Sequence, residues 1–158
     1  QVPFSGEIYL SRVPKVTEIY RNCLRTKGFD SCIDYSPARC ALAFRGGGRS
    51  EPMKIGTFGR WIAHVNDESA FVIFAEAPAS LPYVENSNVQ VFCFPGKFPF
   101  YELEVTSPMV TLKPGEVFET REKWMLLDVP GTAWEETASA INRLVDFSQP
   151  PLESSEED

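Results

Sequence analysis

The chain has 158 residues, 43% of them hydrophobic and 13% aromatic, enough for one folded domain with a core of its own. Its formal net charge is −7, and four of the acids, Glu153, Glu156, Glu157 and Asp158, stand among the last six residues. That balance lacks the basic footprint of a nucleic-acid binder, and no apolar run is long enough to span a bilayer as a helix.

In chain order, the start at Gln1 has neither the basic residues nor the apolar stretch of a signal peptide. This suggests a processed N-terminus, as in secreted or organellar proteins, or a fragment. Residues 7–10 read as a short strand, and 16–21 as a second strand or the opening of a helix that runs to Leu24. Gly28, Asp30, Ser31 and Ser36-Pro37 break the pattern before an apolar run at 41–44. Arg45 to Ser50, RGGGRS, is a loop, because three glycines carry high backbone entropy into any regular element. Cys23, Cys32, Cys40 and Cys93 have no zinc-like spacing. A disulfide between two of the first three and buried thiols are both open.

Strands at 61–65 and 70–75 flank the polar Asn66-Asp67-Glu68-Ser69, which fits a hairpin. Residues 71–74 are apolar on both faces, which places that strand centrally. Pro78, Pro82 and 86–88 form a loop, 89–94 is another strand, and Pro95-Gly96-Lys97 turns the chain toward Phe100. Residues 100–126 read as three antiparallel strands with two turns, Ser107-Pro108 and Lys113-Pro114-Gly115. Tyr101, Leu103 and Val105 alternate there with Glu102 and Glu104. Phe118, Thr120, Trp124 and Leu126 alternate with Val117, Glu119, Arg121 and Lys123. On this reading Phe118, Trp124 and Leu126 are buried, and Glu122 beside them needs Arg60 or Arg121 as partner, or a proton. Thr132 and Glu135 make a capping-box pattern for a helix over 133–147, whose stripe Trp134, Ala138, Ile141 and Val145, with Leu144, docks on the sheet.

The expected fold is therefore mainly β: an antiparallel β-sandwich of about eight to ten strands with one C-terminal helix. Residues 1–150 form a single β-rich domain and 151–158 an acidic tail. The competing architecture is an α+β domain with a helix within 16–40 lying across one sheet.

The order E-L-E at 102–104, S-P at 107–108, L-x-P-G-E at 112–116 and then a long strand with tryptophan resembles the C-terminal part of galactose-mutarotase-like (aldose 1-epimerase-like) supersandwich domains. The upstream KIGTFGRWIAHV and AFVIF are similar to the preceding strands of some members, so the resemblance covers about residues 53–127. Such domains use more chain, which implies a shortened variant or part of the fold. The resemblance implies a carbohydrate ligand, and puts the role of an epimerase base on Glu102 or Glu104.

Read from the residues alone, Glu102 and Glu104 sit roughly 7 Å apart on one strand face, and paired carboxylates can do acid–base work when burial splits their pKa values. His64 is the one histidine available as an acid. Arg45 and Arg49 in the glycine loop are candidate anion ligands, with Arg60 as a further cation. Trp61, Phe98, Phe100 and Tyr101, with Phe92, Phe94 and Trp124, are candidates for a platform that takes a sugar ring or a partner surface. No cofactor or metal motif is present. The expected partners are a carbohydrate or another protein chain. The functional reading is a non-catalytic carbohydrate-associated binding domain, with an accessory subunit of a larger assembly or an aldose 1-epimerase as alternatives.

Overall fold

The computed structural model describes residues 1–3, 5–11, 32–45, 52–75, 81–129 and 133–148. Its strands are β1 (Val2–Pro3), β2 (Glu7–Ser11), β3 (Ile33–Ser36), β4 (Ala41–Phe44), β5 (Met53–Thr57), β6 (Trp61–Val65), β7 (Ser69–Ala75), β8 (Val89–Phe94), β9 (Phe100–Val105) and β10 (Glu122–Asp128). One helix, α1 (Trp134–Ser148), follows. The chain is mainly β, as composition and patterning predict.

The apolar residues of β6 and β7 decide the architecture. Ile62 and Ile73 point one way, and Trp61, Ala63, Val72 and Phe74 the other, and all are buried. Strands buried on both faces need a layer on each side. One layer is a four-stranded antiparallel sheet in the order β1-β9-β8-β5. It faces a six-stranded sheet, β10-β7-β6-β2-β4-β3, across a core of Ile8, Leu10, Leu42, Phe44, Ile55, Val91 and Tyr101. The other layer is α1, whose Ala138, Ile141 and Val145 pack on Trp61, Ala63 and Val72, with Trp134 and Leu144 at the margin. The stripe read from the sequence is the stripe that docks. Thr132 of the capping box lies outside the described residues.

Two polar clamps fix the short connection from β5 of the small sheet to β6 of the large one. The fully buried Asn88 side chain takes the Gly59 N–H on Oδ1 at 2.8 Å and donates from Nδ2 to the Gly59 carbonyl at 2.7 Å. Ser11 Oγ accepts from the N–H groups of Arg60 and Trp61 at 2.6 and 2.8 Å. A Cβ on residue 59 would stand 2.1 Å from the Ser11 carbonyl oxygen, so the approach requires glycine.

The 66–69 connection is a hairpin turn, with Asn66 N–H donating to Ser69 O at 3.0 Å. The 100–126 segment is not the three-stranded sheet expected. Residues 109–112 form no strand, and β9 and β10 lie in different sheets. The reason is edge supply: β1 and β8 occupy both edges of β9, so the next segment has none to pair with. The chain instead runs as an arm over 106–121 and pairs as β10 with β7.

The faces of β10 are also reversed from expectation. Met125 and Leu127 pair with Val72 and Ala70 and turn toward the helix side. Trp124 and Leu126 pair with Ile73 and Phe71 on the face toward the small sheet, yet are 65% and 72% exposed. The small sheet lies over β6 and β2, leaving β10 beyond its reach. Glu122 is exposed and accepts the Trp124 Nε1–H at 2.9 Å, so it needs neither Arg60 nor Arg121. The competing helix is absent from 33–36, which is strand, and from 37–39, a single 3-10 turn. Residues 12–31 lie outside the described set.

Candidate functional site

Glu102 and Glu104 do share one face of β9, the outer face of the small sheet. Each has a partner: Gln1 Nε2–H donates to Glu102 Oε1 at 3.0 Å, and Lys54 Nζ donates to Glu104 Oε2 at 2.7 Å. His64 stands on the other side of that sheet, on the core-facing side of β6 with Ile62, 5% exposed. Its Nε2–H donates to the Ser5 carbonyl at 2.7 Å, as a structural histidine does. The small sheet therefore separates His64 from both glutamates, and the structure does not bring an acid–base pair together.

Arg45 is committed internally. Its guanidinium bridges Glu7 and Asp34, which closes it to an external anion. Tyr9 Oη donates to Glu7 at 2.8 Å in the same cluster. Burial, then the Glu7 hydrogen bond and charge, push the Tyr9 phenol well above its ordinary value of 10. Arg49 lies outside the described residues. Arg60 is exposed, and what the structure fixes there is its backbone N–H on Ser11 Oγ. Trp61 and Tyr101 are fully buried, Trp61 with its Nε1–H on Asn142 Oδ1 at 2.8 Å. As core residues on strands covered on the relevant face, neither belongs to a binding platform.

Phe92, Phe94 and Phe100 do form a strip on the outer face of the small sheet. Phe92 and Phe94 stack at 6.4 Å between ring centroids, and Phe94 and Phe100 lie 5.3 Å apart. Phe98 projects beyond them, 75% exposed, with Lys97 Nζ 5.6 Å from its ring centre. The Lys54–Glu104 pair sits on the same face.

The most exposed apolar surface lies elsewhere, and at Phe118, Trp124 and Leu126 it falls where the sequence reading placed core. Along β10, Trp124 and Leu126 are open, with Phe71 and Trp124 rings 5.6 Å apart at 87°. The arm that leads into β10 exposes Met109, Val110, Leu112, Val117 and Phe118, Val117 at 88%. The arm is anchored at its root. Thr106 N–H donates to Asn88 O at 2.9 Å, Thr106 Oγ1 to Ser87 O at 2.9 Å, and Met109 N–H to Pro82 O at 2.8 Å. Its tip is a turn closed by Glu116 N–H on Lys113 O at 3.0 Å, with Gly115 at φ +88°. Where its two legs converge, a cleft of about 150 Å³ opens between Leu81, Pro108 and Phe118. β10 is an end strand of its sheet, so one edge of its backbone is unpaired among the described residues. A signal for this was present: Trp124, Met125, Leu126 and Leu127 are all apolar, which is more than a one-sided strand needs.

Cys32, Cys40 and Cys93 are thiols, the first and last buried; Cys23 lies outside the described residues. No group of three or more His, Cys, Asp or Glu suited to a metal ion occurs among the described residues. No helix there is long and apolar enough to cross a membrane. Comparison of the chain with protein-family models, curated proteins and solved structures finds no match. The likeness to mutarotase-like domains thus rests on its strand and turn residues alone.

Proposed function

We propose that the protein is a non-catalytic binding subunit that docks on a partner polypeptide through β10 and the 106–121 arm. The observation that carries this reading is the apolar surface exposed by Trp124 and Leu126 on β10 and by Leu112, Val117 and Phe118 on the arm that leads into it, with one edge of β10 unpaired among the described residues. Monomeric soluble proteins rarely leave such a patch bare, and they guard edge strands with charge, proline or bulges. β10 carries its charges at its ends, Glu122, Lys123 and Asp128, while its centre, 124–127, has neither charge nor proline. The occupant that fits is an extended segment with alternating apolar side chains, which would pair with the β10 backbone and cover Trp124 and Leu126.

Light scattering after size exclusion, on protein isolated gently from the cells that make it, tests the proposal. The expected mass exceeds the 17.8 kDa of the chain, and a Trp124→Glu, Leu126→Lys double variant returns it to monomer. A wild-type chain that runs as a monomer would overturn the proposal.

The Phe92–Phe94–Phe100 strip favours the carbohydrate reading as a second one. Aromatic rings on an open sheet face, with a lysine and a carboxylate at hand, suit the apolar face and the hydroxyls of a sugar. A glycan array followed by calorimetry checks it, with binding lost in Phe94→Ala. Silence in both assays removes that reading and leaves the first untouched.

A further inference from the structure

One flank of α1 borders an open cleft of about 440 Å³, within the usual range of small-ligand sites, whose other walls are Arg39 of the 37–40 turn and Asp128 and Val129 at the end of β10. Four charged side chains line it: Arg39, Arg143, Asp128 and Glu136. Although both signs are present, neither arginine forms an ion pair with a described residue. Opposite charges lining one cleft but held apart leave both sets available to a ligand.

The wall that holds them is built from the core outward. Trp61, fully buried, donates its Nε1–H to Asn142 Oδ1 at 2.8 Å, and Asn142 Nδ2 donates to the Arg39 carbonyl at 2.7 Å. One side chain on α1 thus fixes the backbone of Arg39, and Arg143 is the next residue along the helix. The turn continues into Cys40 at φ 47°, a left-handed conformation unusual for a residue with a side chain. Its N–H closes on Pro37 O at 3.2 Å. Such backbone persists where the surroundings over-determine it.

We propose that this cleft binds a small hydroxylated monoacid, the chemistry of a uronic acid. Arginine forks match a carboxylate bidentately, and the Asp128 and Glu136 carboxylates accept hydrogen bonds from hydroxyl groups. Two arginines against two carboxylates leave the cleft neutral overall, so a polyanion is disfavoured and a single anionic group with neighbouring hydroxyls is matched. The site shares Asp128 with β10 but neither Trp124 nor Leu126, so either site can fail without the other.

The probe is galacturonate, titrated at low ionic strength against isotope-labelled protein, with galactose and inorganic phosphate as parallel arms. Galacturonate should shift the amide signals of Arg39, Cys40 and residues 136–143. Arg39→Ala and Arg143→Ala should each weaken it about tenfold, the loss of a charge-assisted pair. Both side chains are exposed, so melting temperatures should hold. Glu136→Gln should reduce the preference for galacturonate over phosphate. No shifts at the cleft, unchanged affinity in the arginine double variant, or galactose or phosphate binding as well as galacturonate would each overturn the proposal.

Discussion

Asn88 shows how a single side chain holds the fold. Its amide satisfies both backbone groups of Gly59, which lies too close to Ser11 to shift. Asn88→Ala leaves a buried donor and acceptor unpaired, so it should cost about 2–3 kcal/mol in denaturant unfolding. Tyr9 makes a prediction of another kind. Its phenol is raised in the folded protein above its ordinary value of 10, so below pH 10 both states keep the proton and the shift has no effect. Above pH 10 the unfolded chain loses that proton first, and stability must fall as pH rises further. Unfolding free energies measured from pH 9 upward should show this decline, and Tyr9→Phe should flatten it. His64, read from the sequence as a possible acid, is legible only in context: nothing in IAHV says that Ser5 will present a carbonyl to it.

At the scale of elements, α1 was the most legible part, because a period of 3.6 identifies its buried stripe whatever lies beneath. Ile141, fully buried between helix and sheet, should therefore cost about 2–5 kcal/mol on change to Ala, read by thermal or denaturant unfolding. β6 and β7 were legible as apolar runs on either side of the polar 66–69 turn, and β8 as a short run ended by Pro95-Gly96. The 100–126 segment was not, because alternation gives a strand two faces but does not say which one its neighbours will cover. Trp124 and Leu126 lie on the face toward the small sheet yet stay exposed, since the small sheet stops short of β10. The turn at 113–116 was read correctly, and Gly115 has the positive φ that its position implies. The consequence differs from that of a turn between paired strands. A Cβ on residue 115 would meet nothing within 4 Å, and the arm around it is exposed. Gly115→Val strains the tip by about 1 kcal/mol, so the melting temperature should fall by only a few degrees. Its effect should appear in partner affinity, while Lys113→Ala leaves both alone.

For the whole molecule, layer size connects fold to function. Among the described residues, six strands against four leave the face of β10 uncovered, and a mainly β chain of this length needs a reason to carry exposed tryptophan and leucine beside an edge that no described strand pairs with. The sandwich and its helix were readable as a class, since buried-both-sides strands and one amphipathic helix permit few arrangements. The mismatch between the two sheets was not, because it depends on which edges each strand finds already taken. The central claim, that a partner strand pairs with β10, is tested most directly by hydrogen exchange at residues 122–128. In the native assembly these amides should be protected along the whole strand, and the Trp124→Glu, Leu126→Lys monomer should lose protection at the outward-facing ones while the β6 amides stay slow. Equal exchange across 122–128 in the assembly and in the monomer would contradict the account.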